Sequence, residues 1–92
     1  MHQLEFHKRA LKTLRKIPKD RAGQIVAKLE EFTEWTDPTE HPDVKVMRGE
    51  WEGAWRLRIG EYRAIFELSE IEGEEVALLI YVTKIGTRGD IY

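Results

Sequence analysis

The sequence predicts an α+β domain: an N-terminal α-helical hairpin packed on one face of a small twisted antiparallel β-sheet. Three observations predict it. Apolar residues near the start recur with helical spacing in two runs separated by Pro18, and from Val44 onward the pattern changes to alternation, with turn residues between the runs. The last apolar run, VALLIYVTKI at 76–85, is apolar on both sides, as an inner strand covered by helices would be. Antiparallel strands joined by short turns, with both helices on one face, satisfy that order.

Each element follows in turn. His2–Phe6 alternates weakly and reads as a short first strand. Ala10, Leu11, Leu14 and Ile17 then fall on one helical stripe, with His7 at the helix start and basic residues elsewhere around it. Pro18 separates this helix from a second, about 19–35, whose apolar face is Ala22, Ile25, Val26, Leu29 and Phe32. Two helices joined so closely form an αα-hairpin. TDPTEHPD at 36–43 is a loop by composition, and VKVMRG brings a short strand with Val44 and Val46 on one face. SEIEGEE reads as an exposed acidic turn. Gly86 is expected to break the last strand, leaving a short tail.

The stretch WRLRIGEYRAIF, 55–66, is the most informative. Gly60-Glu61 can form a two-residue II′ turn, because glycine supplies the positive φ at its first position. That register pairs Ile59 with Tyr62, Arg58 with Arg63, Leu57 with Ala64 and Arg56 with Ile65. One face becomes Trp, Leu, Ile, Tyr, Ala and Phe. The other carries Arg56, Arg58 and Arg63, two of them directly opposed, and like charges across a strand pair are destabilising. Two readings account for this face. It is an anion site, since arginine offers multidentate donors that fit phosphate oxygens and stays charged. Or it is a solvated outer face with Glu61, Glu67 or the acidic turn as counter-ions.

Composition narrows the function. The 92 residues form a single domain, 1–92, with 41% hydrophobic and 35% charged residues, which suits a folded core rather than disorder. The absence of cysteine excludes a disulfide scaffold, a cysteine nucleophile and a thiolate metal site. No apolar run reaches membrane-span length and the start lacks the apolar core of a signal peptide, so cytoplasmic residence without membrane contact is expected. The net charge of −2 argues against a simple polyanion binder, yet charge is unevenly placed. Residues 1–30 carry eight Lys/Arg against three acids, and residues 31–52 carry seven acids against two bases, so local rather than net charge decides where a phosphate chain could lie.

Two further groups can carry chemistry. Arg88 and Tyr92 follow the last strand, where loops often hold function, and tyrosine offers both a stacking ring and a hydroxyl; the alternative is an ordinary chain terminus. Lys8, Arg9, Lys12, Arg15 and Lys16 give the first helix a basic face, either solvated or laid along phosphates. His2, His7 and His41 lack metal-ligand spacing, and Trp35, Trp51 and Trp55 read as core or loop anchors.

Three segments, FHKRALKTLRKIP, GEWEGAWRLRIGEYRAIFEL and IYVTKIGTRGDIY, occur in an order that resembles the RelE/ParE superfamily of toxins from toxin–antitoxin operons. The resemblance spans nearly the whole chain and implies the same helical hairpin on an antiparallel sheet. It points to the RelE-like branch, which resembles microbial ribonucleases and cuts messenger RNA in the ribosomal A site. For this chain it implies a cofactor-free, metal-independent endoribonuclease, with Arg56, Arg58, Arg63, Arg88 and Tyr92 as the catalytic set and the basic helix face meeting RNA. A RelB-like antitoxin, the ribosome and mRNA would be the partners. Arg56 and Arg58 stand where well-studied members carry lysine, and Thr87 where many carry histidine. Two other functions stay open: a ParE-like inhibitor of DNA gyrase, and a catalytically weak member that binds antitoxin and regulates transcription.

Overall fold

The computed structural model describes residues 1–87 and Gly89, and the side chains of all of these except residues 74–76. In chain order the elements are β1 (Gln3–Phe6), α1 (Lys8–Lys16), α2 (Lys19–Phe32), β2 (Val44–Val46), β3 (Trp55–Ile59), β4 (Tyr62–Ile71) and β5 (Glu74–Thr87), with short 3-10 turns at Pro38–Glu40 and Gly49–Trp51. The expected α+β class and helical hairpin are both present. The strands form one sheet in the order β1-β5-β4-β3-β2.

The sheet is antiparallel from β2 through β5, but β1 joins the outer side of β5 in parallel. A parallel neighbour needs a long crossover rather than a tight turn. Here the whole chain from α1 to β4 intervenes, so β1 enters beside the last strand and the sheet is mixed. β5 is therefore an inner strand, which explains its apolar sequence.

Both helices cover one face. α1 contributes buried Ala10 with half-buried Leu14 and Ile17, and α2 contributes Ile25, Leu29 and Phe32. These pack against Leu57, Ile59, Ala64, Phe66, Ile80, Val82 and Ile85 from the strands. Phe32 meets Phe66 edge-on with centroids 5.3 Å apart, an arrangement aromatic quadrupoles favour. Leu11 departs from the expected stripe and is 36% exposed. It sits one residue, or ~100°, round from Ala10, and the nine-residue helix buries the narrower i, i+4, i+7 seam.

The second helix stops at Phe32, earlier than expected, because other groups take its last carbonyls. Thr33 Oγ1 donates to Glu30 O at 2.6 Å, and the Glu34 and Trp35 amides turn back to Glu31 O and Phe32 O at 3.1 Å each. Just beyond the helix, the His2 amide donates to Thr33 O at 2.9 Å and His2 Nε2 donates to Trp35 O at 2.7 Å. His2 Nδ1 accepts the Leu78 amide, which places the ring proton on Nε2. His2 is thus a buried clamp between α2 and β5 rather than part of the first strand. Trp35 folds back onto His41, ring centroids 4.5 Å apart.

Two other local expectations change, and a third holds with a difference in burial. The acidic segment 69–75 is mostly the end of a long β4–β5 hairpin, turned at Gly73 with φ 83°. The last strand runs through Gly86, which pairs with Arg63, because the β4 ladder continues to Thr87. Val44 and Val46 share a face as expected, but Val46 lies at the sheet edge and is 52% exposed.

Candidate anion site on the outer sheet face

The hairpin register matches the sequence reading residue for residue: Ile59 pairs with Tyr62, Arg58 with Arg63, Leu57 with Ala64 and Arg56 with Ile65. Gly60 turns it with φ 59°, the positive value a II′ turn requires first. Alternation then sends Arg56, Arg58 and Arg63 to the face away from the helices.

The three arginines differ in environment. Arg58 is the exposed one, and its Nη2 donates to Asp43 Oδ1 at 3.2 Å. Arg63 is half-buried, and its Nη1 donates back to Gly60 O (3.1 Å) and Tyr62 O (3.0 Å). Arg56 is only 8% exposed, so its surroundings are not the open, solvated strand surface of one sequence reading. A second, smaller apolar cluster on this side explains the difference: Met47, Ala54 and Ile65 are buried there and Trp51 packs on them. An arginine stem can lie along such a surface while its head stays polar. Among the described residues, Nε of both Arg56 and Arg63 is buried without a hydrogen-bond partner. Such donors are costly unless a ligand or solvent takes them.

The cost of opposing Arg58 to Arg63 is met inside the fold. Asp43 is the counter-ion, holding Arg58 through one oxygen and Lys28 through the other at 3.1 Å. The hydrogen bond from Lys28, then that from Arg58, holds the Asp43 carboxyl below its ordinary value, against an opposing effect of burial. Glu61, one of the acids expected to serve, pairs instead with Arg21 at 3.2 Å. Asp43 went unseen in the sequence because it sits in an acidic loop fifteen residues from Arg58, with nothing local to tie the two together.

Two bases missed in the sequence join this face. Lys45 pairs with Arg56 across β2–β3, and Lys84 pairs with Ile65 across β4–β5. Lys84 reaches the outer face through a β-bulge. Ile65 pairs with Lys84 but Phe66 with Val82, so Thr83 is the extra residue and the strand's alternation flips there. Simple period-two reading from Ile80 would have placed Lys84 in the core. Its Nζ stands 5.3 Å from the centroid of the Trp51 ring.

The basic helix does not join the cluster. Lys8, Arg9, Lys12, Arg15 and Lys16 are all exposed, but α1 packs on the opposite face of the sheet. Arg9 also supports the fold, because its Nε donates at 2.7 Å to the carbonyl of the bulged Thr83. His7 caps α1, accepting the Arg9 amide on Nδ1. Arg88 and Tyr92 lie outside the described residues. Among the described residues no group of three or more His, Asp or Glu side chains could hold a metal ion, and no helix is long and apolar enough to cross a membrane.

Comparison with known proteins agrees with this architecture. Residues 4–92 match the family model described as the ParE toxin of the type II toxin–antitoxin system parDE. Among solved structures, the archaeal RelE–RelB complex from Pyrococcus horikoshii is 24% identical, with 96% of each chain covered and a TM-score of 0.66. The RelB–RelE antitoxin–toxin complex from Methanococcus jannaschii is also 24% identical, covering 96% of this chain and 94% of that one, with a TM-score of 0.64. The isolated E. coli RelE toxin is 25% identical, covering 95% of this chain and 84% of that one, with a TM-score of 0.66. A search of curated proteins returned no significant match.

Proposed function

Since the chain belongs to the ParE toxin family of type II toxin–antitoxin systems, within the RelE/ParE superfamily, we propose that it is a ribosome-dependent endoribonuclease that cuts mRNA in the A site. The observation that carries this reading is the outer-face arginine cluster: Arg58 opposite Arg63, with Arg56 beside them, and two buried Nε donors without partners. Charge of this density is suited to a phosphate whose negative charge grows during reaction.

The 2′-oxygen of one nucleotide attacks the adjacent phosphorus, forming an O2′–P bond while the P–O5′ bond breaks. The products are a 2′,3′-cyclic phosphate and a 5′-hydroxyl; the 2′-OH gives up its proton and the leaving oxygen acquires one. Arg56, Arg58 and Arg63 hold the phosphate and stabilise the dianionic transition state. Arg58 exchanges Asp43 for the phosphate, while Arg63 keeps its turn carbonyls on Nη1 and offers Nε. Arg88 adds to charge stabilisation near the leaving oxygen, and Tyr92 stacks on a base or assists proton transfer. An arginine is a poor proton shuttle, so the rate rests on positioning and electrostatics. Exposed Lys8, Lys12, Arg15 and Lys16 on the far face meet ribosomal RNA, which suits a small domain entering a cleft and touched on two sides. The partner outside the ribosome is an antitoxin, as RelB is for the archaeal relatives.

The ParE family match keeps a second reading open, the gyrase inhibition that resemblance to the ParE-like branch implies. It gives the arginine cluster no chemical role. Primer extension on an mRNA in a reconstituted translation system separates the two: ribosome-dependent cuts within the A-site codon support the nuclease, while intact mRNA with inhibited DNA supercoiling supports the gyrase inhibitor.

A further inference from the structure

Beside the arginine cluster, the chain between β2 and β3 folds into a crook. Residues 45–51 line a cleft of about 570 Å³, within the ~300–1,000 Å³ typical of small-ligand sites. Its lining combines two cations, Lys45 and Arg48, one acid, Glu50, and apolar surface from Val46, Met47 and Trp51. Val46 is half exposed although it belongs to a strand. Trp51 packs on the small outer cluster, and the Lys84 ammonium stands 5.3 Å from its ring centroid. Lys45 is the direct cross-strand neighbour of Arg56, so the cleft opens onto the same row of residues as the anion site.

From this juxtaposition we infer that the 45–51 crook is a nucleotide subsite, seating the base next to the scissile phosphate against Trp51, with Lys45 and Lys84 toward that nucleotide's phosphate. The inference rests on the nuclease reading and deepens it. A flat aromatic base needs apolar and aromatic surface, its phosphate needs cations, and single-stranded RNA is commonly held by this pairing of stacking with positive charge. The two bases on the cleft wall outnumber its one acid, and the pinned indole avoids the entropy loss of ordering a mobile ring. The bulge turns Lys84 to this face, whereas an unbulged strand would carry it to the core side.

The test is a ¹H–¹⁵N NMR titration of the full chain with a short single-stranded oligoribonucleotide, and separately with inorganic phosphate. The Trp51 indole signal is identified among the three tryptophans by Trp51→Phe. RNA is expected to shift the Trp51 indole N–H and the 45–51 amides together with Arg58 and Arg63, whereas phosphate shifts Arg58 and Arg63 and leaves Trp51 in place. Lys45→Glu, at an exposed position on the outer face where folding is not threatened, is expected to weaken RNA binding about tenfold by opposing the phosphate chain. RNA shifts confined to Arg58 and Arg63, with Lys45→Glu indifferent, would overturn the subsite and leave the nuclease reading standing. Equal movement of Trp51 by phosphate and RNA would overturn the base-binding claim, reducing the crook to an anion site. An antitoxin peptide that shifts 45–51 where RNA does not would reassign it to the partner protein. RNA that shifts neither region overturns the subsite and leaves the ribosome-dependent reading to the primer-extension test.

Discussion

Asp43 and Arg58 are joined twice: the Arg58 amide donates to Asp43 O at 2.9 Å, and its guanidinium to Asp43 Oδ1 at 3.2 Å. This fixes the strand edge and neutralises the exposed arginine of the cluster. Asp43→Asn keeps the shape but removes the charge. It is expected to cost about 1 kcal/mol, the scale of partly exposed ion pairs, measured by urea denaturation at neutral pH. Because the folded carboxyl sits below its ordinary 3.8, its contribution is present above that value and is lost as pH falls through the lowered one. The gap between wild type and Asp43→Asn should therefore close in acid below about pH 4.

His41 sets an earlier acid limit. It is buried, and its Nδ1 accepts the Asp43 amide at 3.0 Å, so protonation would break that bond. Burial, then the nearby Lys28 charge, pushes its pKa below the ordinary 6.5, while Asp43 and Glu31 oppose the shift. A depressed histidine stabilises fully above 6.5 and loses that contribution as pH falls through its folded value. Denaturation midpoints should decline once pH drops below 6.5, and His41→Asn should flatten that decline.

Arg9 should separate from the other cations of α1. Removing it strands the Thr83 carbonyl at the bulge and loses a charge-assisted bond, so Arg9→Ala is expected to cost ~1.5–3 kcal/mol. Lys8→Ala, Lys12→Ala and Lys16→Ala remove only exposed charge and should stay within about 0.5 kcal/mol of wild type. Their effect should appear in ribosome binding, as a shallower salt dependence in sedimentation.

Phe66 joins the sheet to α2 through Phe32 and is fully buried. Phe66→Ala should destabilise by about 3–5 kcal/mol through lost burial and the cavity left behind, read as a lower denaturant midpoint with little change in m-value.

The arginine hairpin was legible because its information is local: a Gly-led two-residue turn sets the register, and alternation sets the faces. The helical seams at Ala10, Leu14 and Ile17 and at Ile25, Leu29 and Phe32 were legible for the same reason. What the sequence hid was long-range or parity-breaking. Asp43 meets Arg58 only after β2 pairs with β3, and His2 meets Trp35 and Leu78 only after β1 joins β5. Lys84 was concealed by one extra residue in β5, which reverses the meaning of alternation beyond it. The burial of Arg56 depended on a second apolar cluster assembled from three separate segments. Arg88 and Tyr92 rest on the resemblance to the toxin family.

The most direct test of the nuclease account is A-site primer extension comparing wild type with Arg63→Ala, a half-buried residue whose loss should leave the hairpin paired. The account predicts ribosome-dependent cuts by the wild type and roughly 100- to 1,000-fold slower cutting by the variant, the scale of losing one transition-state charge donor. Undiminished cutting by a folded Arg63→Ala protein would contradict it, as would mRNA left intact by the wild type.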